Sequence, residues 1–201
     1  MTPKVITLAM TGASGAEYTL RLMQCLLQNN IRIQFVTSQP GQIVMAMETE
    51  LKLTGSPRKM QAALAEYFDA DPDLLRVYSK DQWTAPPASG SSVADAMVVC
   101  PCSMGTLASI AVGSSDNLIH RAADVIIKER KTLILVPRET PFSAIHLENM
   151  LKLARLGVVI LPPSPGFYHG VSKVSELVDF VVARILDQLG IDNDLAPRWG
   201  D

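Results

Sequence analysis

A doubly wound α/β fold, a single domain with a mainly parallel sheet flanked by helices, is what the sequence predicts, and three observations carry the expectation. Five short runs are continuously apolar rather than alternating, as strands covered on both faces must be. Stretches of helical periodicity lie between them, so the order is strand then helix along the chain. At 201 residues, 48% of them hydrophobic, the chain has the length of one domain and can bury a sizeable core.

The first strand is VITLAM (5–10), which runs into TGASGA and a helix over 15–28. RIQFV (32–36) follows, then helical patterns at about 40–53 and 59–68. Residues 69–92 break the rhythm: Pro, Ser and Asp dominate, Trp83 is isolated, and the segment reads as a long loop with a short strand near Val77. AMVVC (96–100) precedes helices at 103–112 and 121–130, TLILV (132–136) precedes one at 143–155, and VVIL (158–161) leads through a loop to the last, 173–189. That last helix has an apolar stripe of Val178, Val181, Val182, Ile185 and Leu189, with Arg184 well round from its centre. The domain is read as 1–192, followed by a tail over 193–201 in which Trp199 argues for docking, on this subunit or a neighbour. Right-handed crossovers bring the loops after the strands to one edge of the sheet, where Rossmann and flavodoxin-like folds bind ligands.

Composition excludes several classes of function. The net charge is −2 with Lys and Arg scattered, unlike the basic face of a nucleic-acid binder. No apolar run approaches the roughly 18 residues of a membrane span. MTPKVITLAMTG lacks an A-x-A-like cleavage pattern, which argues against a signal peptide. Cys25, Cys100 and Cys102 are too few for a disulfide framework and fit a reducing cytoplasm. Cys100-Pro-Cys102 lacks the matching His or Cys cluster that a structural zinc site needs, so these are read as core thiols and no metal is expected.

The strand ends carry the chemistry. In TGASGAEYTLRL (11–22), Gly12 and Gly15 flank Ser14: glycines admit a ligand to the backbone, Ser14 is expected to cap the helix, and free N–H groups at the helix start attract an anion. The second strand ends in Thr37-Ser38. After the AMVVC strand comes PCSMGTLASIAVGSSDNL (101–118), rich in Ser and Thr with Asp116 as its one charge. With Ser103 as N-cap, the N–H groups of Met104, Gly105 and Thr106 point outward together beside the Ser103 and Thr106 hydroxyls, a neutral phosphate cradle. Arg138 and Glu139 follow an apolar strand, a poor place for charge unless it is paired or meets a ligand.

The run PxSxxTxAxxAxGxxDNL, with TGASGA, VPRETPFS (136–143) and the late PPSPGFY, resembles the UbiX family of flavin prenyltransferases, within the homo-oligomeric flavin-containing cysteine decarboxylase superfamily. The resemblance covers essentially the whole chain, and it implies that reduced FMN is alkylated by dimethylallyl phosphate at N5 and then C6. The prenylated FMN then passes to a UbiD-type decarboxylase, whose pathway is not written in this chain. It further implies FMN contacts at Gly12, Ala13, Ser14, Ser38, Ser103, Met104, Gly105, Thr106 and Arg138. The prenyl phosphate falls to Lys128, Arg138, Tyr168 and Arg184, with Arg121 and Ser89 as helpers; fixed donors there stabilise the charge that builds on the leaving group.

Glu48 and Glu139 match family acids near the flavin, where a raised pKa would suit proton movement. Trp83 and Trp199 are expected to lay π faces against the developing allylic cation. The family also implies a dodecamer, with the Met-rich stretch IVMAMETELKL (43–53) and the tail as contact surfaces. Two rivals stand beside this reading. One is an FMN-dependent cysteine decarboxylase, whose early-loop His has no counterpart here, since no His precedes His120. The other is a non-enzymatic flavin carrier, which would have no use for a second, cationic phosphate pocket.

Overall fold

The computed structural model describes residues 4–168, 170–198 and 200. The strands are β1 (Val5–Met10), β2 (Arg32–Thr37), β3 (Leu75–Tyr78), β4 (Ala96–Cys102), β5 (Thr132–Pro137) and β6 (Val159–Ile160). The helices are α1 (Ala16–Gln28), α2 (Gln39–Glu48), α3 (Pro57–Phe68), α4 (Met104–Ala111), α5 (Leu118–Lys128), α6 (Ala144–Arg155) and α7 (Val174–Leu189). All six strands are parallel, in the order β3-β2-β1-β4-β5-β6. The chain winds outward from β1 to β3, then returns to β4 on the other side of β1. A crevice therefore opens between the carboxyl ends of β1 and β4, the topological switch point at which such sheets bind ligands.

Strand alternation explains why every central strand is apolar throughout. Leu8 and Met10 face one core layer with Leu22, Met23 and Leu26 of α1 and Val182 and Ile185 of α7. Ala9 faces the opposite layer with Leu107 of α4 and Ile119, Ala122 and Ile126 of α5. Each fully buried Leu or Ile contributes roughly 1.5–3 kcal/mol of transfer free energy, so both layers are needed to hold the sheet.

Two helix boundaries differ from the sequence reading. The pattern at 40–53 ends as a helix at Glu48, because Thr49 turns extended and Leu51 and Leu53 bury themselves two residues apart, as extended chain does. The helix expected from 121 begins at Leu118, because the Asn117 side chain accepts from the N–H groups of Ile119 (2.9 Å) and His120 (3.1 Å). The short strand near Val77 is present as β3, and the rest of 69–92 is organised by short 3-10 turns at Pro72–Leu74, Pro86–Ala88 and Gly90–Ser92. Cys100 and Cys102 lie wholly buried in β4, and burial pushes both thiols far up, leaving them inert core groups. Among the described residues no helix is long and apolar enough to cross a membrane.

Candidate functional site

The crevice is built by cross-links between the ends of β1 and β4. The Thr11 hydroxyl donates to the Pro101 carbonyl (3.0 Å) and accepts from the Ser103 N–H (2.8 Å), and the Thr19 hydroxyl donates to the Cys100 carbonyl (2.6 Å). These bonds hold Gly12, Ala13 and Ser14 directly beside the start of α4. On the other flank Ser38 donates its N–H to the Met10 carbonyl (3.1 Å) and caps α2 by accepting from Gly41 N–H (3.1 Å). Gly12 and Gly41 are required by packing. A Cβ at 12 would overlap Pro40, and one at 41 would sit 2.8 Å from the Met10 carbonyl oxygen.

Ser103 caps α4 as the sequence predicts, accepting from Thr106 N–H (3.4 Å) while donating to the Thr106 hydroxyl (3.1 Å). As the first helical positions, Met104 and Gly105 have N–H groups with no acceptor inside the helix. A Cβ added at Gly105 would meet nothing within 4 Å, so open space faces this turn. The small residues, the hydroxyls and the helix dipole together fit a phosphate group without a charged side chain.

Ser14 does not cap α1. The N-cap is Gly15, at φ 128°, a conformation that favours glycine, and the capping acceptor comes from 33 residues away. One carboxylate oxygen of Glu48, at the last turn of α2, accepts from the N–H groups of Gly15 (2.8 Å) and Ala16 (2.9 Å). Burial pushes the Glu48 pKa up, but the Ser14 hydroxyl, the two N–H groups and the positive charge of Arg138 together outweigh it, and the net shift is downward. The raised pKa expected for Glu48 is therefore corrected: three hydrogen bonds to the charged form win over desolvation, and the residue is an ionised acceptor. A sequence reader had no local signal for this contact, since Glu48 meets α1 only through the packing of α2.

Arg138 is exposed at the end of β5, its N–H on the Cys102 carbonyl (3.3 Å). The neighbouring Glu139 is half-buried and its carboxylate accepts from Thr140 N–H (3.1 Å). Both therefore stand on the rim of the same crevice. The other cations do not. Lys128 ends α5 beside Glu129, with which it pairs, and lies next to Gly90, close to the Ser89 and Ser91 hydroxyls that bond each other (2.9 Å). Arg121 points to the Ala88 carbonyl (3.1 Å) and Asp124 (2.8 Å). Since α5 runs back against the strands, Lys128 stands at the opening of β5 and Arg138 at its close; at about 3.3 Å per residue the six-residue strand separates them by roughly 17 Å.

Tyr168 and Arg184 share a third location. They line a cavity of about 460 Å³ with Phe180 and Asp187 of α7 and with Asn193, Ala196, Pro197 and Arg198 of the tail. Gly166 leaves room for the Tyr168 ring and Phe180. Trp83 is 49% exposed on the loop that precedes β4. Trp199 lies outside the described residues. Among the described residues no group of three or more His, Cys, Asp or Glu is placed to hold a metal ion. A further cavity of about 630 Å³, between α1 and the end of α3, contains none of the expected site residues.

An open parallel sheet with a neutral anion cradle at its switch point defines a nucleotide- or flavin-binding α/β protein. A family model, Flavoprotein, matches residues 1–186. A flavin prenyltransferase UbiX from Pseudomonas aeruginosa is 59% identical over 199 residues, covering 99% of this chain and 95% of the relative, and one from Halalkalibacterium halodurans is 46% identical over 98% and 94%. A crystal structure of AnUbiX (PadA1) in complex with FMN and dimethylallyl pyrophosphate superposes with a TM-score of 0.87 at 40% identity, over 99% of this chain and 98% of that one. A dodecameric FMN-dependent UbiX-like decarboxylase from Escherichia coli O157:H7 gives a TM-score of 0.85 at 41% identity, over 98% and 100%. The chain belongs to the flavoprotein family and, within it, to the UbiX flavin prenyltransferases.

Proposed function

We propose that this chain transfers a dimethylallyl group from a dimethylallyl phosphate to N5 and C6 of reduced FMN, releasing the phosphate. The observation that carries the reading is the crevice itself, where backbone donors of α4, the Gly12-Ala13-Ser14 loop, Ser38 and Arg138 converge at the switch point. Reduced FMN is a substrate here and supplies the nucleophilic nitrogen and carbon. The cradle from Ser103 to Thr106 holds its phosphate, and Gly12 and Ala13 let the backbone approach the ring. Glu48, ionised, fixes the Ser14 hydroxyl as a proton relay at the ring edge, while Glu139 on the opposite rim accepts a proton. Arg138 at the rim of the crevice stabilises the leaving phosphate, joined by Tyr168 and Arg184 from the α7 cavity of another copy, and Trp83 covers the allylic group.

Lys128, Arg121 and Ser89 enter this site from a second copy of the chain. The position of Lys128 and its neighbour Ser89 at the opposite end of the strands from Arg138 supports that, as do Ile43 (55% exposed) and Met47 (79%), apolar side chains left open on α2. Homo-oligomeric assembly, a dodecamer as in the Escherichia coli neighbour, would make each site composite. The prenylated FMN is then passed to a UbiD-type decarboxylase, in a reducing cytoplasm where three buried free thiols are at home.

The reading is tested by incubating the purified protein anaerobically with reduced FMN and dimethylallyl monophosphate, then extracting and weighing the flavin. A gain of one five-carbon unit is expected. Unaltered FMN with the monophosphate and the diphosphate alike would favour the decarboxylase or the carrier. The structural likeness to the FMN-dependent cysteine decarboxylase TvaF, at 16% identity and a TM-score of 0.60, shows the shared fold alone.

A further inference from the structure

Asp187 has no part in the motifs above, yet it is the hub of the cavity that contains Tyr168 and Arg184. It sits in the last turn of α7, three residues after Arg184, with only 21% of its side chain exposed. Its two carboxylate oxygens are divided between separate tasks. Oδ2 accepts from the Arg184 guanidinium at 2.6 Å. Oδ1 accepts from the Asn193 side-chain amide at 3.1 Å and from the Arg198 guanidinium at 3.5 Å. One carboxylate therefore fixes an arginine of the helix and, at two points, the tail that follows it. Leu195, between those points, packs on the core, and Ala196 and Pro197 form the wall of the cavity opposite α7.

We infer that Asp187 is a positioning residue: it holds Arg184 and Arg198 side by side and docks the tail as the second wall of the prenyl-phosphate subsite, making Arg198 a further phosphate-binding group. Two guanidiniums brought into one cavity repel each other, and the shared carboxylate offsets that repulsion while leaving the trio with one net positive charge. A phosphate dianion that enters beside Tyr168 then meets two planar donor forks already oriented, so less side-chain freedom is lost on binding. Each guanidinium gives only one nitrogen to Asp187, and the exposure of Arg184 (54%) and Arg198 (60%) leaves the remaining N–H groups open to the ligand. This inference rests on the prenyltransferase reading for the identity of the phosphate, while the clamp on the tail stands on the hydrogen bonds alone.

The test uses the full-length protein and its Asp187→Ala, Asp187→Asn and Asp187→Glu variants. An exposed ion pair is worth up to about fivefold in an equilibrium constant, so loss of two should raise KM for dimethylallyl monophosphate about 5- to 30-fold in the Ala and Asn forms. The fall in kcat should be smaller than the rise in KM, and FMN affinity, read by flavin fluorescence, should be unchanged. The Glu form, which keeps the charge on a longer arm, should recover part of the KM. Trypsin cleavage after Arg198 should be faster in the Ala and Asn forms, a readout that does not depend on prenyl transfer. Arg198→Ala should also raise KM, with the tail still held by Asn193. Unchanged KM in the Ala and Asn forms overturns the inference, whether or not cleavage accelerates. So does an unchanged cleavage rate, or a loss of FMN affinity equal to the KM change, which would mark general misfolding. If the wild-type protein transfers no prenyl group, the prenyltransferase reading fails, and the cleavage rates still decide whether Asp187 clamps the tail.

Discussion

Replacing Glu48 by glutamine probes the contact that most directly joins fold to site. The carboxylate accepts from Gly15 and Ala16 at the start of α1, so it serves as that helix's cap and as an anion at its dipole. A side-chain cap is worth about 1 kcal/mol and a carboxylate at a helix start about 0.3–1 kcal/mol. Glutamine keeps one acceptor oxygen but loses the charge, so Glu48→Gln should cost about 1 kcal/mol and Glu48→Ala about 2 kcal/mol, or roughly 2–4 °C of Tm per kcal/mol in a chain of this size. Urea denaturation followed by circular dichroism measures it. The pH dependence fixes the cause. Because the folded chain holds the Glu48 carboxyl below its usual value, the stabilisation is complete above the unfolded pKa of about 4.3 and is lost as pH falls through the folded value. The gap between wild type and Glu48→Gln should therefore be constant from neutral pH down to about 5 and close in more acidic solution. Equal stability at pH 7, or a gap that does not narrow as the pH falls below the unfolded value, would refute the assignment of Glu48 as an ionised cap.

Three further outcomes follow from the geometry. Gly12→Ala places a methyl against the rigid Pro40 ring and should cost about 1–3 kcal/mol together with most of the FMN affinity, read by fluorescence titration. Lys128→Ala and Arg138→Ala should each be nearly inactive, yet co-expressed together they should regain activity at up to about a quarter of the sites, since a symmetric assembly would pair intact halves from different copies; no recovery would place both groups in one chain's site. Deleting residues 193–201 should abolish prenyl transfer while the circular dichroism spectrum is kept, and unchanged turnover would dismiss any role for the tail.

Local pattern determined much of this protein. Continuous apolar runs identified the strands because parallel strands are buried on both faces, and the cap at Ser103 was readable because its acceptor and donor lie three residues apart. The chain order of strands and helices also located the crevice, since right-handed winding leaves little freedom in where the loops emerge. Contacts between distant segments were decided by the tertiary structure alone. Glu48 took the capping role expected of Ser14 because α2 packs its last turn beside α1, a placement no local periodicity encodes. The same holds for the separation of Lys128 from Arg138. Ten residues apart in sequence, they stand at opposite ends of β5 because a strand is extended, and extension turns a short sequence distance into the full depth of the sheet. Asp187 was silent in the sequence for the same reason: its meaning comes from a tail that folds back on α7, and only the packed chain brings those two arginines to one carboxylate.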